Sequence, residues 1–149
     1  IQFGPGDRVV AEELVLPASS RRALQQQIML FYTGVTRSAN TILEHQTANV
    51  GNCLPDLHRL RDLAGEAADG LHRGEINAVA KAIRNSWEAK RRLANGVSTL
   101  AIDAVVEAAL DAGALDAGAS AAKISAAGGG GFVALRDEAG SVTGTAPGS

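Results

Sequence analysis

Four consecutive glycines, Gly128 to Gly131, interrupt the run AAKISAAGGGGFVAL at residues 121–135, and they restrict the fold more than any other stretch of the chain. Glycine loses more conformational freedom on folding than any other residue, so an ordered tetraglycine works against stability unless backbone must turn sharply or approach something closely. The flanks have β character, Ala-Lys-Ile-Ser before and Phe-Val-Ala-Leu after, and this predicts a strand, a tight passage and a second strand. A dinucleotide fingerprint needs its glycines to open a helix, and a P-loop needs Lys-Ser/Thr after them; a strand-like segment follows here and no lysine does. Two readings stay open on the residues alone. Either the glycines only turn the chain, or their bare N–H groups form a nest for an anionic group such as a phosphate.

Helix dominates upstream of the glycines. Aromatic residues make up only 3% of a 149-residue chain that is 46% hydrophobic, so the core must be built from Ala, Leu, Ile and Val. From Pro55, Leu57, Leu60, Ala64, Ala67 and Leu71 recur at helical spacing, and Gly74 supplies a stop. A second helix follows with Ile76, Ala80, Ile83 and Trp87 as its stripe and with Arg84, Glu88 and Arg92 on another face. Thr99 is placed to cap a third, whose buried side is Ile102, Val105, Val106, Ala109 and Leu110. Nearer the start, Gly4-Pro5-Gly6-Asp7 predicts a hairpin between IQF and RVVAEELVL, and Ser19 or Ser20 an N-cap. The apolar run Ile28–Tyr32 predicts a strand buried on both faces. Thr36 or Ser38 then caps a helix directing Ile42 and Leu43 inward. One domain is the expectation from length.

Charge and cysteine content exclude several functions. The net charge is −2, and the C-terminal third is acidic: Asp103, Glu107, Asp111, Asp116, Asp137 and Glu138 face only Lys123 and Arg136. No cluster of Lys and Arg comes with aromatic platforms, which argues against a nucleic-acid partner. No apolar run approaches the ~20 residues of a membrane span, and the single cysteine, Cys53, points to a reducing cytoplasm. His58 and His72 would lie about 21 Å apart along one helix, so no metal site is expected. The first residue is not methionine, and the strand-like opening suggests part of a longer polypeptide.

AAKISAAGGGGFVAL resembles the third conserved motif of the GHMP kinases, a lysine and β-formers before a Gly-Ala-Gly-Gly-Gly-Gly-like run, with Ala126 where that run usually begins with glycine. FGPGDRVV, LFYTGVTRSANTILEHQ, HRLRDLA and SWEAKRRLANGVS are similar to further segments of the family's bacterial sugar-kinase branch, which includes heptose 7-phosphate kinases and secondary-metabolite relatives, and the likeness covers about residues 1–136. It implies an α+β carboxy-terminal domain, helices packed on a small antiparallel ferredoxin-like sheet, at 18–136, with the hairpin at 1–17 continuing from an amino-terminal half, while the low-complexity composition of 137–149 reads as a flexible tail. It also implies Mg2+ and ATP, a sugar phosphate as acceptor, and phosphoryl transfer to a sugar hydroxyl. The amino-terminal half would carry the catalytic Asp and the Gly/Ser-rich phosphate loop; no catalytic residue is assigned here, and the chain alone is expected to be inactive. The alternative is a non-catalytic binding domain derived from such a kinase.

The residues able to meet phosphate or sugar are few. Ser125, Gly128, Gly129, Gly130 and Gly131 form the expected phosphate-proximal loop. Arg37, after Tyr-Thr-Gly-Val-Thr, offers a planar fork for a sugar phosphate, with a surface ion pair as the plainer reading. Lys123 can screen phosphate charge or serve as a solvated edge residue. Trp87 and Lys90 can wall a sugar site, although stripe spacing also suits Trp87 to the core and Lys90 to a solvated face.

Overall fold

A computed structural model describes residues 1–32, 38–112, 119–125 and 132–137. Its elements run β1 (Gln2–Phe3), β2 (Val9–Val10), α1 (Ala18–Gln27), β3 (Ile28–Tyr32), α2 (Ala39–Ala48), α3 (Leu54–Arg73), α4 (Ile76–Arg91), α5 (Leu100–Ala112), β4 (Ala119–Ile124) and β5 (Phe132–Asp137). Helices therefore pack with a small antiparallel sheet, as the sequence predicts. The sheet has the order β3-β5-β4, with Ile28 opposite Arg136 and Tyr32 opposite Phe132 on one side of β5, and Ile124 opposite Val133 on the other. KIS and FVAL are thus adjacent paired strands. The glycines fall on the connection between them, at 126–131, outside the described residues.

α3 and α4 form an antiparallel hairpin. Its corner is a Schellman turn: Glu75 N–H donates to the Gly70 carbonyl at 2.8 Å and Gly74 N–H to that of Leu71 at 3.2 Å, with Gly74 at φ 74°. Ile102 N–H donates to Thr99 Oγ1 at 3.3 Å, so Thr99 caps α5 as expected. α4 and α5 both pack on β4, and the main core gathers Ile42, Trp87, Val97, Ile102, Val106, Ala122 and Ile124.

Several expectations need correction. The strand RVVAEELVL shortens to Val9–Val10, because only those two residues find a partner in β1. α1 starts at Ala18, one residue before Ser19, and Pro17 stands at its cap position; Ser20 is buried inside the helix with no partner for its Oγ among the described residues. β3 is an edge strand with Leu30 64% and Tyr32 58% exposed, because a continuous apolar run reports the absence of alternation and says nothing of how many neighbours the strand has. Ile42 is buried, but Leu43 and Val105 are more than 40% exposed, one step off their helices' inner faces. Ala64 is likewise exposed, and Leu63 takes the buried position in α3.

Candidate functional site around helix α4 and strand β4

The candidate site is built on the contact of α4 with β4, and one tether sets its register. Arg84 Nη2, on α4, donates to the carbonyl of Ser120 near the start of β4. From Arg84 to Lys90 the helix rises about 9 Å, and from Ser120 to Lys123 the strand advances about 10 Å. Lys90 lies within electrostatic reach of Lys123. Between these rungs, Trp87 lies in the core with Ala122 and Ile124. Beyond Lys123 come Ile124, fully buried, and Ser125, half-buried and the last described residue before the glycines.

Both lysines are half-buried. Withdrawal from water, and secondarily the positive charge of Lys123, push the Lys90 ammonium down to about 8 from its ordinary 10.5. Desolvation lowers Lys123 as well. Lys123 does lie on an edge strand, but neither lysine is fully solvated as the plainer sequence reading allowed. Trp87, by contrast, is 2% exposed, and its indole N–H is buried with no acceptor among the described residues. A ring so enclosed is a core residue in this structure and presents no open wall to a sugar, which corrects the sugar-wall expectation in favour of its stripe spacing.

Of the residues singled out from sequence, Trp87 and Lys90 lie on α4, Lys123 lies near the end of β4 and Ser125 follows that strand. Arg37 and Gly128, Gly129, Gly130 and Gly131 lie outside the described residues. Arg84 was not anticipated as the tether. Its spacing from Glu88 suggested a surface pair, and a bond to a backbone carbonyl 36 residues away leaves no periodic signal. Arg92 also departs from its expected partner: its Nε and Nη2 donate to Asp56 Oδ1 on α3, at 2.8 and 2.7 Å. Elsewhere, a cleft of about 580 Å³ is lined by His45, Asn49, Arg91, Arg92 and Asn95 among others. Asp56 and Asp103 already hold its two arginines, and the C-terminal ends of α2 and α4 border it, so it is a weaker place for an anion.

No three His, Cys, Asp or Glu side chains among the described residues stand together to hold a metal ion. The described residues therefore offer no preformed cage for a Mg2+ ion. No helix among the described residues is long and apolar enough to cross a membrane.

Comparison with known proteins agrees with this architecture. The chain is 27% identical over 135 residues to the D-glycero-alpha-D-manno-heptose 7-phosphate kinase of Campylobacter jejuni, an alignment covering 89% of this chain and 38% of that protein. The chain thus spans well under half the length of that relative. The crystal structure of L. major mevalonate kinase in complex with R-mevalonate matches the fold with a TM-score of 0.62 at 18% identity, over 74% of this chain and 33% of that one. Residues 67–139, from the second half of α3 through β5, match the model of the GHMP kinases C terminal family. The α4–β4 contact, strands β4 and β5 and the glycine segment all fall within that match, so that just under half of the chain is similar to a GHMP kinase carboxy-terminal domain.

Proposed function

We propose that this chain is the carboxy-terminal part of an ATP-dependent sugar-phosphate kinase, which transfers the ATP γ-phosphoryl group to a hydroxyl of a heptose 7-phosphate-like sugar. The observation that carries the reading is the alignment with a heptose 7-phosphate kinase over nearly the whole chain. In phosphoryl transfer the protein chiefly positions in-line oxygens and stabilises charge. Ser125 and Gly128–Gly131 serve the transferring phosphate through bare N–H groups. Arg37, Lys90 and Lys123 serve the sugar phosphate, and Mg2+ arrives with ATP as part of the substrate complex.

The chain alone does not turn over ATP on this reading, since the catalytic Asp and the second phosphate loop belong to an amino-terminal half. The test measures sugar-dependent ADP release by the 149 residues and by the same residues joined to the amino-terminal half of such a kinase. Transfer only in the joined protein is the expected outcome. ADP release by the 149 residues alone overturns the division of labour, and no transfer by the folded, joined protein overturns the kinase reading in favour of a binding domain.

A further inference from the structure

We propose that helix α2 is a latched element, whose C-terminal end opens and closes on the body of the domain while Ile42, near its N-terminus, stays seated in the core. The motion belongs to this chain and does not rest on the kinase reading.

Of the ten residues of α2, only Ile42 is buried, packed in the main core with Trp87, Val97 and Ile102. With 3.6 residues per turn, the residues that line two clefts fall on opposite flanks of Ile42. His45, Ala48 and Asn49 border the cleft of about 580 Å³ on one flank, and Leu43, Gln46, Thr47 and Val50 border another of about 210 Å³ on the other. The helix thus meets the body along one line with a gap on each side, and Leu43 and Val50 stay 48% and 41% exposed. An element with so little buried apolar surface opens at a far lower free energy than the domain unfolds.

The latch lies at the other end of the helix from Ile42. Asn49 Nδ2, at the C-cap, donates to the Leu93 carbonyl just past α4 at 2.8 Å, and Asn52 Nδ2 orients that amide by donating to its Oδ1 at 3.0 Å. Among the described residues, this is the one hydrogen bond that ties α2 and its cap to the end of α4. The turn that follows can yield, since nothing stands within 4 Å of a Cβ position at Gly51. Because both clefts share α2 as a wall, a molecule lodged in either biases the position of the helix.

The chain has one cysteine and one tryptophan, and they report on the two ends of α2. Cys53 is 4% exposed and lines the smaller cleft, its thiol donating to the Asn49 carbonyl at 3.2 Å, so opening of the latch uncovers it. Trp87 packs in the cluster that holds Ile42 and stays covered unless the anchor leaves.

The 149-residue chain is treated with a chromogenic aromatic disulfide over a series of urea concentrations, and thiol labelling and Trp87 emission are followed together. Well below the unfolding midpoint, Cys53 should react through an opening that depends only weakly on urea, because it exposes little surface, while the emission stays native. Asn49→Asp and Asn49→Ala both lose the donor to Leu93, one adding a charge and the other not, and each should speed this labelling about three- to tenfold. Ile42→Val should lower the global midpoint but leave labelling at low urea unchanged, since the anchor does not move in the opening. Labelling that follows the global unfolding curve from the start overturns the proposal, and the parent chain alone decides that point. Labelling at the speed of a free thiol that neither Asn49 variant changes also overturns it, as does a change in Trp87 emission that accompanies the opening.

Discussion

Among the described residues, the Lys90 ammonium carries the clearest pH dependence. Below pH 8 both folded and unfolded chains hold the proton, and the folded state bears the full penalty of a half-buried charge. Between about 8 and 10.5 the unfolded chain still binds a proton that the folded chain has released, so stability rises with pH across that window. Lys123, lowered by the same desolvation, adds to the trend. Lys90→Met should therefore be more stable than the parent at pH 7, and the gap should narrow by pH 9.5, as read from urea midpoints at the two pH values. A gap independent of pH would contradict the lowered Lys90. Trp87 belongs to the same helix and poses the opposite case. Trp87→Ala should cost about 3–5 kcal/mol of stability, because it empties the centre of the core. A variant of unchanged melting temperature would return Trp87 to the sugar wall. Sequence alone shows Trp87 at stripe spacing, which favours the core. It cannot show that Lys90 and Lys123 feel each other's charge, since 33 positions separate them and only the packing of α4 on β4 relates them.

Single elements were the most legible part of the molecule. The i, i+3, i+4 pattern from Leu57 to Leu71 and from Ile76 to Trp87 defines both helices of the α3–α4 hairpin, and Gly74 marks its corner, because only a residue without Cβ takes φ 74° at no cost. Two glycines inside α3 give that hairpin a sharp test. At Gly70 an added Cβ would stand 3.2 Å from Ala78 Cβ and 3.3 Å from both the Glu75 carbonyl oxygen and Val79 Cγ2, whereas at Gly65 it would meet nothing within 4 Å. Gly65→Ala should stabilise the protein by up to about 1 kcal/mol through helix propensity. Gly70→Ala gains the same propensity but must force the helices apart, an overpacking cost of about 1–3 kcal/mol, and should come out neutral to destabilising. Thermal melts of the two variants in parallel decide it, and a Gly70→Ala protein more stable than Gly65→Ala would show that α3 and α4 do not cross at Gly70. Strand β3 was less legible for a physical reason. Ile28–Tyr32 is apolar at every position, and that composition suits a central strand or an edge equally, so its place at the sheet margin follows from tertiary pairing with β5 alone.

For the molecule as a whole, the antiparallel pairing of β4 with β5 gives the tetraglycine its position: Ile124 opposes Val133, and the chain must pass from one to the other through residues that include Gly128–Gly131. A plain reversal between strands needs a few turn residues and no run of four glycines, so the excess points to a backbone that something else must approach. If that something is the transferring phosphate, a side chain there blocks approach, and a β-branched one also resists any positive φ. Gly129→Val in the joined kinase should then lower kcat/KM for ATP by about 30-fold or more, a transition-state loss of about 2 kcal/mol, with little change in melting temperature. If the glycines only turn the chain, the same substitution should instead destabilise by about 1–3 kcal/mol through backbone strain while the folded fraction keeps normal kinetics. Melting and kinetics measured on one sample separate the two outcomes, because the first loss follows the folded population and the second persists in protein that is fully folded.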